Sequence, residues 1–177
     1  MIYNKLFLLD KGELKLKITI LYQTRSGNTE RVAKLIEDGA KKVDGVDVKL
    51  MRLDNIDLDY LNESKAVIFG TPTYLANTTW EVKKWFDEDS KKVNLAGKLG
   101  AVFATCDYIC GGPDVAILTV VGHLMVKGML VYSGGGSLGK PFIHLGHVHS
   151  IEGPELQDEK AIIFGERIAT KAKELFN

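Results

Sequence analysis

The chain has 177 residues, of which 45% are hydrophobic, so it is long enough for one well-buried core and too short to suggest two. Its 23 basic and 23 acidic residues balance, which leaves no net field to favour nucleic acid or an anionic membrane surface as a partner. Two cysteines cannot form a disulfide framework, the longest apolar run is too short to span a bilayer, and no secretory signal pattern opens the chain. We therefore expect one cytoplasmic domain over residues 1–177, with residues 1–15 as an N-terminal extension.

Strands and helices alternate along the rest of the chain. Apolar, β-branched runs predict five strands, at residues 16–22, 46–53, 65–70, 98–105 and 129–132. Apolar residues at helical spacing predict helices after the first, third, fourth and fifth strands. One of these helices has capping-box spacing between Thr78 and Glu81 and a core face that includes Trp85. Strands separated by helices imply parallel βαβ units, so we expect an α/β fold with a five-stranded parallel sheet.

A turn rich in hydroxyl groups connects the first strand to its helix, where residues 20–36 read ILYQTRSGNTERVAKLI. The N–H groups that open a helix have no intrahelical partner, and the helix dipole adds positive charge there, so such a turn can bind an anion. The side chains of Thr24, Ser26, Asn28 and Thr29 are short donors, and Gly27 lets the backbone approach a phosphate closely. These donors suit a terminal phosphate, and the G-x-G-x-x-G pattern of dinucleotide folds is absent. The alternative is an ordinary turn of an α/β protein.

The same stretch resembles the FMN-binding signature of flavodoxins and their relatives, with Tyr22, Thr24, Gly27, Thr29 and Ala33 at the expected offsets. The resemblance covers roughly residues 17–176. It implies a flavodoxin-like three-layer sandwich with strand order 2-1-3-4-5, and FMN as the cofactor. The cofactor-binding residues expected in this loop are Thr24, Arg25, Ser26, Gly27, Asn28 and Thr29.

A second candidate loop follows the third strand at its carboxyl end, which is the edge where open α/β sheets bind ligands. Its Gly-Thr-Pro-Thr-Tyr run is similar to the second flavin loop of the WrbA-type NAD(P)H:quinone oxidoreductases. Tyr74, Leu75 and Ala76 replace the arginine, aromatic residue and glycine of that subfamily. The resemblance implies a flavin-edge role for Tyr74, which is otherwise only a loop aromatic. The cofactor-binding residues expected here are Pro72, Thr73, Tyr74, Leu75, Ala76 and Asn77.

A third candidate loop follows the fourth strand and reads TCDYICGGPD, with Pro113 marking the start of the next helix. The C-x-x-x-C spacing has no second cysteine pair or adjacent histidine, so we expect no metal site. The resemblance implies that Thr105, Cys106 and Asp107 line the flavin and that Gly111 and Gly112 match the glycine-rich end of the family's loop.

The helix predicted at residues 114–127 is apolar almost all round, so one face covers the sheet and a second face needs another partner. One possibility is a subunit interface, which would give a homodimer or homotetramer. The other is that the segment after Tyr132 covers this face within one subunit.

A long connection, residues 133–154, follows the fifth strand and contains His144, His147 and His149. No carboxylate accompanies these histidines at ligand spacing. In the WrbA-type family the corresponding loop closes over the redox edge of the flavin. The resemblance therefore implies that one of these imidazoles contacts the electron acceptor, with His147 and Tyr74 as the candidate catalytic residues.

The function implied by the resemblance is an FMN-dependent NAD(P)H:quinone oxidoreductase, which passes two electrons from NADH or NADPH to a small-molecule quinone. One alternative is a flavodoxin-type electron carrier that docks on redox proteins. The other is a flavin-free flavodoxin-like binding module. The neutral net charge argues against the carrier, and the intact hydroxyl set of the first loop argues against the flavin-free module.

Overall fold

The computed structural model describes residues 15–177, apart from the side chains of residues 154–156. Its strands are β1 Leu16–Tyr22, β2 Val46–Arg52, β3 Ala66–Pro72, β4 Leu99–Cys106, β5 Leu130–Val131 and β6 His147–Ser150. Its helices are α1 Asn28–Ala40, α2 Leu58–Glu63, α3 Trp80–Lys84, α4 Pro113–Val126 and α5 Pro154–Phe176. The predicted N-terminal extension lies outside the described residues, except for Lys15.

The strands form one parallel sheet in the order β2-β1-β3-β4-β5, with β6 also paired to β4. The predicted order 2-1-3-4-5 is confirmed. Every residue of β3 and β4 is buried, because helices cover both faces of the centre of the sheet. This burial accounts for the unbroken apolar runs that predicted the two strands.

The fifth position of the sheet is filled by two short strands. β5 pairs with Leu99 and Gly100 at the start of β4, and β6 pairs with residues 103–106 at its end. The prediction of one uninterrupted connection over residues 133–154 is therefore wrong at residues 147–150. The backbone groups of β4 beyond Gly100 need hydrogen-bond partners, and β6 supplies them after the chain has left the sheet and returned.

The core consists of two apolar clusters, one on each face of the sheet. Helices α1 and α5 cover the first face, where Ile36, Phe103 and Phe164 are fully buried. Helices α3 and α4 cover the second face, where Trp85, Ile117 and Leu124 are buried. Among the described residues, no helix is both long and apolar enough to cross a bilayer.

The chain around α3 is less regular than the sequence predicts. The helix continues after Lys84 as a π-helical turn over Trp85–Asp89 and a 3-10 turn over Ser90–Lys92. The predicted capping box is wrong, because Thr79 precedes the helix and none of the described side chains caps it. The Oγ1 atom of Thr78 is instead hydrogen-bonded to Oγ1 of Thr71, at 2.7 Å. This bond ties the segment before α3 to the end of β3.

The outer face of α4 is not covered by any other part of residues 15–177. Val115, Leu118, Met125 and Val126 are exposed, so the segment after β5 does not cover this face as one of the two alternatives proposed. Self-association through α4 stays a prediction, which light scattering would test.

Helices α1 and α5 pack with their backbones in contact at two glycines. A Cβ atom on Gly39 would lie 1.9 Å from the carbonyl oxygen of Ile162, and one on Gly165 would lie 2.0 Å from that of Ile36. Neither carbonyl can move without displacing its helix. The pair of glycines therefore fixes the distance between α1 and α5.

Replacing Gly165 with alanine should force the two helices apart and lower the free energy of unfolding by about 1–3 kcal/mol, as overpacked cores do. Urea unfolding would measure this loss. Gly122→Ala in α4 is the matched control, because its Cβ would meet no described atom within 4 Å. For Gly122→Ala, helix propensity predicts a rise in the free energy of unfolding of up to about 1 kcal/mol. Equal stability of the two variants would contradict the close-packing account.

Candidate functional site

Three loops meet at the carboxyl ends of β1, β3 and β4. We call residues 23–27 the first loop, residues 73–79 the second loop and residues 107–112 the third loop. A pocket of about 330 Å³ lies where they meet, within the size range of small-molecule sites. Its lining residues are Ser26, Asn28, Thr29, Pro72, Thr73, Tyr74, Leu75, Ala76, Thr105, Cys106, Asp107, Tyr108 and Gly111. We call this the loop pocket.

The loop pocket brings together most of the residues that the sequence predicts to bind a cofactor. Five predicted residues shape the loops or adjoin them without lining the pocket, namely Thr24, Arg25, Gly27, Asn77 and Gly112. Tyr108 lines the pocket and is absent from the prediction, although an aromatic side chain in a loop at this edge of the sheet was a usable signal.

The first loop leaves the start of α1 open to a ligand. Gly27 precedes the helix with φ of +91°, a conformation that favours glycine. Its N–H donates to Oγ1 of Thr24 at 2.9 Å, which holds the turn. None of the described side chains caps α1, so the N–H groups of its first turn remain available to an anion. Ser26 and Asn28 lie beside them on the pocket wall.

A buried hydrogen bond connects the first loop region to the end of β4. The hydroxyl oxygens of Thr29 and Thr105 are 2.9 Å apart, and both residues line the loop pocket. Because both side chains are buried, this bond is shielded from competing water. It fixes the start of α1 relative to the third loop.

The second loop is a tight hairpin with a strained tip. The backbone groups of Tyr74 and Asn77 exchange two hydrogen bonds, of 2.8 and 3.0 Å. Between them, Leu75 and Ala76 have φ of +48° and +59°, where turns of this kind usually carry asparagine and glycine. The side-chain oxygen of Asn77 accepts a 2.9 Å bond from Thr119 of α4. Non-glycine residues in this conformation often mark ligand-binding loops.

The second and third loops touch. A Cβ atom on Gly112 would lie 2.6 Å from Cα of Ala76, so no larger residue fits between the loops. Gly112 has φ of +90° and precedes Pro113, the first residue of α4, where the sequence predicts that helix to begin. In the third loop Tyr108 is largely exposed, whereas burial raises the pKa of the thiol of Cys106, the last residue of β4.

The chemistry of the loop pocket fits a ligand with an anionic end and a flat ring. The open start of α1 supplies donors at one side, and Tyr74 and Tyr108 supply aromatic surface. Oγ1 of Thr73 is buried and has no hydrogen-bond partner among residues 15–177, although Thr73 lines the pocket. An unpaired buried hydroxyl is unfavourable, which favours a ligand that pairs with it.

Arg25 supports Tyr74 from outside the pocket. Its guanidinium makes three hydrogen bonds of 2.9–3.1 Å with the carboxylate of Glu81, and it lies 4.5 Å from the centroid of the Tyr74 ring. The two contacts restrict where the tyrosine ring can lie.

All three histidines of residues 144–149 lie within the described chain, and none of them lines the loop pocket. His147 is 2% exposed and its ring lies 6.0 Å from that of Phe164. His149 is buried, with its Nε2 2.7 Å from the carboxylate of Asp158. The structure thus brings Tyr74, but not His147, to the site. Among residues 15–177, no group of three or more His, Cys, Asp or Glu is arranged to hold a metal ion.

Comparison with known proteins places the chain in a family. Residues 20–112 match the family model described as flavodoxin. A curated protein named flavodoxin, from Clostridium saccharobutylicum, is 59% identical over 161 residues, which cover 91% of this chain and all of the relative. The chain belongs to the flavodoxin family.

Two further comparisons show the breadth of the likeness. An NAD(P)H dehydrogenase (quinone) from Geotalea daltonii is 27% identical and covers 77% of each chain. The solved structure of Fusobacterium nucleatum flavodoxin bound to flavin mononucleotide aligns with a TM-score of 0.67 and 20% identity, over 91% of this chain and 99% of that one. At this identity the likeness to the solved structure supports the fold alone.

The prediction of an NAD(P)H:quinone oxidoreductase is wrong. The relative with 59% identity is a flavodoxin, which is an electron carrier, whereas the quinone dehydrogenase is a distant relative. The structure gives the physical reason for the error. The predicted enzyme needed a histidine-bearing loop over the flavin edge, but residues 147–150 form a strand and His147 is buried in it.

The burial of His147 predicts a pH-dependent stability. Burial, helped by the nearby His149 and Lys160 and opposed by Asp158, lowers the pKa of His147 from 6.5 to about 3. Above pH 6.5 the imidazole is neutral in both the folded and unfolded states, so it does not make the free energy of unfolding depend on pH. Between pH 6.5 and 3 the unfolded state binds the proton first, so stability falls as the pH falls, by up to about 1.4 kcal/mol per pH unit.

His147→Gln should remove the part of the stability loss that is due to this imidazole. Urea unfolding measured between pH 6.5 and 3 would show the change. His144→Gln is the matched control, because His144 is exposed. A pH profile that is the same in the parent and in His147→Gln would contradict the assigned protonation.

Proposed function

We propose that this chain binds FMN in the loop pocket and carries electrons singly between redox proteins. The observation that supports this most strongly is the meeting of an open helix N-terminus with two tyrosine side chains in one pocket. FMN has a terminal phosphate that suits the open helix N-terminus and a flat ring system that suits the tyrosine side chains. The bound flavin mononucleotide of the Fusobacterium relative is in keeping with this choice.

The phosphate would be held by the N–H groups of the first turn of α1 and by the side chains of Ser26, Asn28 and Thr29. Thr105 keeps Thr29 in place through their shared hydrogen bond. The ring would lie among Thr73, Tyr74 and Tyr108, where Thr73 has an unpaired hydroxyl to offer. When bound, FMN supplies the redox chemistry, and the protein holds it and limits its access to water.

The rim of the pocket suits transient contact with a redox partner. Tyr74, Leu75, Tyr108 and Ile109 are exposed there, and all four have aromatic or aliphatic side chains. Electron-transfer complexes bury small areas, so a patch of this kind is sufficient. The neutral net charge does not oppose a carrier, because contact at this rim depends on local apolar surface more than on the field of the whole chain.

The first test concerns the cofactor. The protein should purify yellow, and Asn28→Ala should weaken FMN binding by removing a donor to the charged phosphate. A hydrogen bond to a charged group contributes about 1.5–3 kcal/mol, which corresponds to roughly 10- to 150-fold in Kd. Fluorescence titration of the FMN-free protein would measure this change.

Asn55→Ala is the matched control for the cofactor test, because Asn55 is exposed and follows β2, away from the loop pocket. It should bind FMN as the parent does. A colourless protein that takes up no FMN at micromolar concentration would rule out the flavin assignment.

The second test concerns the reaction. A potentiometric titration of the FMN-loaded protein should resolve two separate one-electron steps, because a carrier must release electrons singly. A reductase protein supplied with NADPH should bleach the flavin, and neither NADH nor NADPH should do so directly. Rapid direct bleaching by either nicotinamide would exclude the carrier.

Ile109→Glu adds a charge to the rim and should slow reduction by the reductase protein severalfold, because it introduces an unpaired charge into the contact. It should not change FMN affinity, because Ile109 is exposed and does not line the loop pocket. Leu175→Glu, near the end of α5, is the control for added charge at an exposed aliphatic residue. Equal rates for the two variants would place the docking surface elsewhere.

A further inference from the structure

A second and larger cleft, of about 530 Å³, opens between the ends of β1 and β2 and the segment around α3. Its volume is typical of small-molecule sites. None of the described residues that line it also lines the loop pocket. We call it the α3 cleft. Its lining residues are Tyr22, Gln23, Thr24, Arg25, Arg52, Leu53, Asp54, Trp80, Glu81, Lys84, Trp85 and Asp89.

The α3 cleft contains an unpaired buried amide. Gln23 is 8% exposed, and its side-chain oxygen Oε1 accepts no hydrogen bond from the described part of the protein. A buried amide oxygen without a partner is unfavourable, so the residue is poorly explained as part of the core. A ligand with an N–H donor would satisfy it.

The cleft also contains both tryptophans of the chain. Trp85 is buried against Phe69 and Phe86, with ring centroids 5.8 and 5.0 Å away, so it forms a rigid wall. Trp80 is 64% exposed, which leaves ring surface open to stacking. An exposed tryptophan beside an unpaired amide suits a flat heteroaromatic ring.

The charged residues of the cleft leave one cation weakly paired. The carboxylates of Asp54, Glu81 and Asp89 are neutralised by Arg52, Arg25 and Lys92, with N to O distances of 3.2, 2.9 and 2.5 Å. Lys84 is different, because its Nζ lies 3.9 Å from the Glu88 carboxylate and 5.9 Å from the Trp80 ring. Because this ion pair is long and exposed, it competes little with an anionic group of a ligand that stacks on Trp80.

We propose that the α3 cleft binds an adenine nucleotide. A glutamine amide pairs with adenine through two hydrogen bonds, in which adenine N6–H donates to Oε1 and the amide N–H donates to N7. Gln23 supplies this amide, Trp80 stacks on the base and Lys84 attracts the phosphate. Guanine presents an acceptor oxygen in place of the N6 donor, so it cannot satisfy Oε1 of Gln23 in the same way. The site is additional to the one proposed for FMN.

The experiment titrates the FMN-loaded protein with AMP, adenosine and GMP, and follows tryptophan fluorescence and binding heat. AMP should bind saturably at millimolar concentration or below, adenosine more weakly, and GMP at least tenfold more weakly than AMP. Failure of AMP to bind, or equal binding of GMP, would overturn the proposal. Release of FMN by AMP would also overturn it, because the nucleotide would then occupy the loop pocket.

Variants assign the contacts. Gln23→Leu should weaken AMP at least tenfold and abolish the preference over GMP, with retained FMN reporting a folded protein. Lys84→Gln should weaken AMP severalfold and leave adenosine unchanged, whereas Lys34→Gln, on the exposed face of α1, should change neither. Trp80→Leu, at a largely exposed position, should weaken both AMP and adenosine. Unchanged AMP binding in Gln23→Leu or in Trp80→Leu would overturn the assignment.

Discussion

The N–H groups that open α1 need an acceptor that the described protein does not provide. Gly27 and Thr24 shape the turn so that these groups face the loop pocket, and none of the described side chains caps them. The buried hydrogen bond between Thr29 and Thr105 holds these unpaired N–H groups in a fixed position. An anion supplied by a ligand satisfies it, and the family to which the chain belongs is in keeping with such a ligand.

The rest of the architecture keeps that helix end in position. Gly39 and Gly165 bring the last turns of α1 into backbone contact with α5, so α1 cannot shift as a whole without moving α5. The second and third loops touch at Ala76 and Gly112, and Asn77 joins the second loop to α4. The pocket walls are therefore held in place by α1, α5 and α4, each of which packs on the sheet. A rigid site of this kind binds its ligand without a large loss of loop entropy.

Sequence reasoning could predict the sheet order and the meeting of the three loops, because parallel strands have their carboxyl ends at one edge. It could not predict the split fifth strand. β5 has only two residues, and the two histidines of β6 conceal the pattern of a buried strand. The burial of His147 depends on packing against Phe164 of a distant helix, which no local pattern encodes.

The error about function has a related cause. The glycine and hydroxyl pattern of the first loop reports what a pocket can bind, and carriers and reductases share it, so the loop did not separate them. Net charge did not separate them either, because it averages over the whole surface, whereas the docking that we propose for a redox partner involves only a few exposed side chains such as Leu75 and Tyr108.

The central claim is that the open start of α1 recognises a phosphate. Parallel titrations of the FMN-free protein with FMN and with riboflavin, which lacks the phosphate, test it most directly. Two or more hydrogen bonds to a charged phosphate predict that FMN binds at least about 100-fold more tightly than riboflavin. Equal affinities for the two flavins would contradict the account, because the phosphate would then contribute nothing to binding.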